Sequence, residues 1–477
     1  MPTSDEAAIA HLHQAFAAQK AAFVRCLYPS IDERRGHIAA LIRMITSHRA
    51  RIKEALRADF SVHPEAFSDL AEVLGVVTRA MYAAENVAVW AADEERFTDP
   101  SIFGSARATI RRRPKGVIGN IVPWNFPFDL SLGPLVEMLA AGNRAIMKPS
   151  EYTPACGEVL REMIAATFAP DHVTVVAGGV DLARAFCNMR WDHLLYTGSP
   201  AIGREVAKAA AQNLVPVTLE LGGKSPVLLH DDAITAENVA QILGAKAIKN
   251  GQMCISTDYC LVPRARVPDF VRHARAHMLE RMPGYSRSDD CAGIISERHL
   301  DRLVGMLAEA RTRGCEVITL ENDAQVDRAT RRMPLSLVLD PPEDLALMQE
   351  EIFGPILPIK SYDSLNEAID YVNGRERPLA LYVFAADEQV AEDILGRTIS
   401  GGACINACAA HGAVPSLGFG GIGESGTGRH HGIDGFREFS NPRGVFVRGK
   451  GDLFDAFTPP YGEMANQIAD FALGPKS

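Results

Sequence analysis

The sequence has no apolar run long enough to cross a bilayer. Its most apolar window, LSLGPLVEMLAAGNRAIM, is interrupted by Glu137, Asn143 and Arg144. It has no surplus of positive charge either: 49 Lys and Arg against 59 Asp and Glu leave a formal charge of −10, so nothing invites nucleic acid or an anionic membrane surface. There is no tight cysteine ladder. Nine cysteines, an odd number, are scattered along 477 residues, and no cleavable apolar leader follows MPTSDEAAIA. Both features point to a reducing compartment and a cytoplasmic protein. Internal repeats and low-complexity tracts are missing, and so is a G-x-G-x-x-G on a strand-to-helix turn, which first counts against a nicotinamide cofactor.

What is present reads as a multidomain globular chain, too long for one ordinary domain. About the first 95 residues carry helical spacing with few turn signals, as in AEVLGVVTRAMYAAENVAVWAA. From KGVIGNIVPW onward, short apolar runs (GVIGNIV, NRAIMK, HVTVVAG, HLLYTGS) alternate with amphipathic helical stretches. That rhythm predicts a parallel sheet covered on both faces, a setting that favours dinucleotides. A second alternating block runs from PVTLELGGKSPVLL to LALYVFA. The polar, arginine-rich SIFGSARATIRRRPKG and NPRGVFVRGKG read as extended segments of a small bridging element.

Several residues carry candidate chemistry, each with a plainer alternative. In YTGSPAIGREVAKAA a strand ends in Gly198 and Ser199 and a helix opens at Pro200. Its free amides and a hydroxyl suit a pyrophosphate, or it is an ordinary capped helix. In KPSE, Lys148 ends a strand and Glu151 is either a ribose-binding carboxylate or part of a helix start capped by Ser150. Glu220 in LELGGKSP is either a base with raised proton affinity or a strand-end charge before a turn. Asn125 in PWNFP, stiffened by Pro123 and Pro127 and walled by Trp124 and Phe126, is a rigid amide donor for an oxyanion or a loop-stabilising amide. Glu350 and Glu351 beside Phe353 form a solvated acidic edge or a ribose clamp. Cys254, in NGQMCISTDYC, is a nucleophile or one more core thiol. Cys404, Cys408 and His411 match no common zinc spacing, so no metal site is expected, and the pairs HH at 430 and DD at 231 and 289 read as surface features.

Taken together, PWNFP, KPSE, TGS, LELGGKSP, GQMC, EEIFGPI and GFGGIGESGTGRHHG resemble, in order and spacing, the NAD(P)-dependent aldehyde dehydrogenases, from about residue 20 to 447. The compact lead-in suggests the class-three-like branch, and stretches such as WDHLLYTGS and TISGGACIN look most like the coniferyl-aldehyde dehydrogenases. Ala407 and GAVPSLG depart from that branch at a loop expected to border the substrate entrance. The resemblance implies an α/β fold with two Rossmann-type parallel-sheet domains and a small oligomerisation element. On that basis 1–95 and 115–220 would bind the cofactor, 221–418 would be catalytic, 96–114 and 419–450 would bridge subunits, and 451–477 would be a C-terminal tail. It also implies NAD as cofactor, with NADP admitted, and a homo-oligomer, with a homodimer favoured. Cys254 would be the nucleophile, Glu220 the base that activates water, and Asn125 with the Cys254 amide the oxyanion hole. Lys148 and Glu151 would hold the adenosine ribose, Ser199 the pyrophosphate and Glu351 the nicotinamide ribose, with Pro123, Trp124, Gly198, Leu221, Gly222 and Phe353 completing the cofactor site. Cys254 is expected to be accessible, with a lowered pKa from a helix packed behind it.

Rival functions have their own demands. A cysteine hydrolase or acyltransferase would want a histidine beside Cys254 or Glu220, and the motifs hold none there. A non-catalytic descendant would have no need of Cys254, Glu220 and Asn125 together, and a CoA-acylating relative would lack the base at Glu220.

Overall fold

A computed structural model describes residues 4–474. The lead-in is helical, with long helices at Ser4–Arg25, Ile31–Ser47, Arg49–Phe60 and Gly75–Trp90. Ser30 starts the second of these by a reciprocal cap: its hydroxyl accepts from Glu33 N at 3.2 Å while the Glu33 carboxylate accepts from Ser30 N at 2.7 Å. Between the third and fourth long helices the chain winds as a π-helix over Ser68–Leu74, a geometry uncommon enough to signal a local demand. That turn carries the Glu72 side chain fully inside.

Three sheets follow. The first runs in the order 426–427, 217–221, 193–198, 117–121, 144–148, 173–175, and every pairing is parallel except the two-residue edge Gly426–Thr427. All of Val117–Ile121 is buried, as is nearly all of the helix Asp129–Ala141. Burial on both faces is why these segments read as continuous apolar runs. The lead-in helices share one hydrophobic core with that helix and this sheet, through Ile38, Leu41, Val76, Val87, Leu135 and Met147. The second sheet orders as 316–319, 336–339, 356–362, 259–263, 226–229, 380–384, 402–405, parallel but for its first strand. A third, antiparallel sheet joins Glu94–Arg96, Arg107–Pro114 and Ser440–Val447, with Ser440 opposite Pro114 and Val447 opposite Arg107. The expected α/β class, two parallel-sheet units plus a small extended element, is therefore what the chain forms.

Two local expectations differ. The segment beginning SIFG is not extended at its start: Asp99 caps a short helix, Pro100–Phe103, before Arg107 opens the strand. The C-terminal segment ends in a helix, Glu463–Leu473, none of whose residues is buried; residues 475–477 of the expected tail, like 1–3 of the lead-in, lie outside the described residues. Among the described residues no helix is long and apolar enough to cross a membrane.

The topology creates a seam. Strand Val217–Leu221 belongs to the first sheet, and Pro226–Leu229, only a short glycine turn later, to the second. Glu220 and Gly222 sit at this crossing, and Cys254 lies just ahead of the second-sheet strand Tyr259–Pro263. Groups distant in sequence thus meet where the two sheets adjoin, a usual place for ligands in α/β proteins.

Candidate active site

Cys254 is set by a short, strained loop. After the helix Ala236–Ala247, a 3-10 turn covers Ile248–Gly251, with Lys249 and Asn250 both in the left-handed region at φ 47° and 54°. Gly251 follows at φ 80°, where a side chain would collide with the Gly354 carbonyl. The Gln252 side chain then ties the loop down, donating to the Lys249 and Gly293 carbonyls at 2.9 and 3.0 Å and accepting from Ile295 N at 2.9 Å. Tyr382 Oη holds the Ile255 carbonyl at 2.5 Å.

Asn125 reaches this loop from the turn before the helix Asp129–Ala141, and its Nδ2 donates to the Gln252 carbonyl at 3.3 Å. Its position rests on a buried ion pair. Lys249 Nζ donates to the Asn125 carbonyl and, at 3.1 Å, to Glu72, whose other oxygen accepts from the amides of Phe128 and Asp129 at 3.0 Å each. Both charged side chains are fully buried, and the ammonium also lies 4.5 Å from the rings of Phe60 and Phe126. This explains the π-helix: the extra residue per turn brings Glu72 under the turn that holds Asn125. Sequence reasoning passed over Lys249, although a lysine in the apolar run GAKAIKNGQMC is a signal of a buried charge that needs a partner.

Glu220 contrasts with these paired charges. It is 3% exposed, and among the described residues neither carboxylate oxygen has a hydrogen-bond partner. Burial pushes its pKa well above the ordinary carboxylate value, with Arg429 acting in the opposite sense.

Glu351 and Phe353 lie on a loop clamped from two sides. Lys224 donates to the carbonyls of Leu347 and Glu350 at 2.8 and 2.9 Å, and Arg302 holds the carbonyls of Glu351 and Ile352. Phe353 is left-handed at φ 50°, and its ring meets Trp124 edge-on at 5.2 Å. A side chain on Gly222 would overlap the Glu351 carboxylate, so only glycine lets that carboxylate approach the strand end. Burial raises the Glu351 pKa to about 8, with the charge of Asp258 adding to it.

Cys254, Glu220 and Asn125 all line one cavity of about 710 Å³, together with Pro123, Trp124, Gly198, Ser199, Leu221, Gly222, Glu351 and Phe353. Lys148 and Glu151 are not among its lining residues; they form their own ion pair at 3.0 Å at the end of strand Arg144–Lys148. Ser150 caps no helix: it accepts from Tyr152 N within a turn, and the next helix starts at Pro154.

Two expectations, for Cys254 and for the histidine pair, need correction. Cys254 is half-buried, and its thiol pKa is raised rather than lowered. Burial contributes most, then the charges of Glu351 and Glu220, while the Ile255 and Cys254 amides act the other way. The chain immediately before it is the 3-10 turn Ile248–Gly251. His430 and His431 are not surface residues but are buried in the cavity wall. Cys404 Sγ and His411 Nδ1 are 3.3 Å apart, and among the described residues no group of three or more acids, cysteines and histidines could hold a metal ion.

The donor set fits a dinucleotide. Ser199, at the N-cap of the twelve-residue helix Pro200–Ala211, makes no side-chain cap bond and lines the cavity, at a helix start whose free amides suit a pyrophosphate.

Known proteins give the same answer. A probable coniferyl aldehyde dehydrogenase of Caulobacter vibrioides is 42% identical to the chain, with 98% of each covered. A substrate-bound Staphylococcus aureus AldH structure superposes with a TM-score of 0.90 at 32% identity, covering 97% of this chain and 99% of that one. A Mycobacterium tuberculosis aldehyde dehydrogenase solved with NAD+ reaches 0.81 at 28% identity, covering 91% and 89%. The aldehyde dehydrogenase family profile matches residues 2–445, and the chain belongs to that family.

Proposed function

We propose that the chain oxidises an aromatic, cinnamyl-type aldehyde such as coniferyl aldehyde to its carboxylic acid, with NAD as cofactor, through a thiohemiacetal and then a thioester on Cys254. The observation that carries this reading is one cavity lined by a cysteine, an amide donor and a buried carboxylate without partners. The substrate class draws on the 42% identity to the Caulobacter protein and its name.

Each group has a defined task. Cys254 Sγ, as thiolate, bonds to the aldehyde carbon, and the carbonyl oxygen that gains charge accepts from Asn125 Nδ2 and the Cys254 amide. Asn125 can serve because Lys249 and Glu72 hold its backbone from below, so no reorganisation is needed as charge develops. NAD, when bound, supplies the acceptor for the hydride lost as the thioester forms. Glu220 then removes a proton from water, which attacks the thioester. A carboxylate stripped of hydrogen bonds is a stronger base than one in water, which suits it to that step. Ser199 and the first turn of Pro200–Ala211 would hold the pyrophosphate, Glu351 the nicotinamide ribose, and Lys148 and Glu151 the adenosine ribose.

The first sheet with the lead-in helices would form the cofactor unit, the second sheet the catalytic unit, and the antiparallel sheet with its exposed strand Ser440–Val447 the contact between subunits of a homodimer. All nine cysteines are free thiols, which supports a cytoplasmic setting.

The test is absorbance of reduced cofactor with cinnamyl, benzyl and aliphatic aldehydes and either NAD or NADP. Cinnamyl aldehydes with NAD are expected to give the highest kcat/KM, and Cys254→Ala to abolish turnover. Full activity in Cys254→Ala refutes the mechanism, and a preference for medium- or long-chain aliphatic aldehydes refutes the substrate class.

A further inference from the structure

Two helices that follow strands of the first sheet start in different ways. Pro200–Ala211 opens at Ser199 with no side-chain cap bond. The start of Val180–Cys187 is instead closed by a carboxylate from the lead-in. Asp5, in the first turn of Ser4–Arg25, accepts from the amides of Gly179 at 2.7 Å, Asp181 at 3.2 Å and Leu182 at 3.4 Å. Gly178 permits this approach, since a side chain there would overlap Asp5 Oδ1 and the Leu182 side chain. A helix start is a seat for an anionic group, and at this one the protein supplies its own.

That carboxylate stands near Lys148 and Glu151. Pairing runs on past the strand Val173–Val175, where Val176 N donates to the Met147 carbonyl at 2.9 Å, so the Gly178–Gly179 turn follows closely on the end of Arg144–Lys148. Ile146 packs with Leu182 and Phe186 of Val180–Cys187 and with Leu12 of the lead-in helix. Side chains two apart share a strand face, so Lys148 emerges on the side those two helices cover. Its ammonium acts on groups at both ends of Val180–Cys187. The Gly179 amide lowers the Asp5 pKa most, and the charge of Lys148 lowers it too; the Cys187 thiol, which burial pushes up, is drawn down by the same ammonium. Lys148 also holds Glu151, at 3.0 Å. One lysine thus serves two carboxylates, and this corner carries a negative balance.

That balance separates two kinds of dinucleotide. A ribose with free hydroxyls donates to Glu151 and adds no charge. A ribose phosphorylated on its 2′ oxygen brings about two further negative charges. It finds the helix-start amides already occupied, and it meets Asp5 as well as Glu151.

We propose that Asp5 is a second determinant of cofactor choice, a carboxylate that closes the start of Val180–Cys187 and disfavours a 2′-phosphorylated dinucleotide. This rests on the reading that Lys148 and Glu151 hold the adenosine ribose, and it adds a residue from the lead-in helix that acts there through its charge.

The test is calorimetric binding of AMP and of adenosine 2′,5′-bisphosphate to the full chain, with no aldehyde present. The wild type should bind AMP more tightly than the bisphosphate. Asp5→Asn and Asp5→Ser, neutral side chains that can still accept from the Gly179 amide, should each raise the affinity for the bisphosphate relative to AMP about tenfold. Asp5→Glu, which keeps the charge, should leave that ratio near the wild-type value. Local damage to the fold would weaken both nucleotides together and would not produce this pattern. The kcat/KM ratio of NADP to NAD should rise with the affinity ratio. A wild type that binds the two nucleotides equally, a ratio unchanged in Asp5→Asn and Asp5→Ser, or an equal rise in Asp5→Glu overturns the role of Asp5 and leaves the adenosine site standing. A wild type that binds neither nucleotide overturns the ribose reading and Asp5 with it.

Discussion

Glu137 and Glu220 lie in two regions of the molecule that are equally closed to water, and they differ in their hydrogen bonds. Glu137 receives two donors from Arg79 and, at 3.3 Å, the amide of Gly432; Glu220 receives none among the described residues. A protein that spends a buried arginine on one glutamate and leaves the other bare keeps the second for chemistry. Burial alone does not mark a functional carboxylate; burial without partners does.

The sharpest way to break this comparison is kinetic. Glu220→Gln removes the base but keeps the shape, so a single burst of reduced cofactor should persist while steady-state turnover falls about 10²–10⁴-fold, read by stopped-flow and acid release. An undiminished steady state would make Glu220 an accident of packing. Glu137→Gln should behave in the opposite way. It strands the buried Arg79 guanidinium, which costs about 3–5 kcal/mol of folding stability in denaturant titration. A Glu137→Gln protein as stable as the parent would show that the pairing does not hold the fold.

The sheets were legible in the sequence and much of the site's wall was not, for a physical reason. Strands buried on both faces leave unbroken apolar runs, so GVIGNIV and PVLL announce themselves. Cys254, Asn125 and Glu220 were also visible, because each sits in a turn with its own chemistry of glycine or proline. The environment of Cys254 was not visible: the charges that raise its thiol come from Glu351 and Glu220, on other segments, while the local GQM is neutral. His430 and His431 were misplaced because a histidine pair has no periodicity, and the hydrogen-bond partner of His430 inside the protein, Arg79, is 351 positions away. Glu72 escaped notice because a π-helical turn leaves the same composition as an α-helical one.

The smallest effect sharpens the comparison from the side of stability. Glu220 has a folded pKa raised above its unfolded value, because burial disfavours its charged form. Below the unfolded pKa it is protonated in both states and costs nothing. As pH rises toward its folded pKa, the unfolded chain releases that proton first, and stability falls. Glutamine never ionises. Glu220→Gln should therefore match the parent in Tm near pH 4 and melt higher at pH 8, the gap widening with pH, whereas Glu137→Gln should melt lower. The same substitution at two buried glutamates would then move stability in opposite directions. A Glu220→Gln protein that melts below the parent at pH 8 would mean its carboxylate has a partner after all.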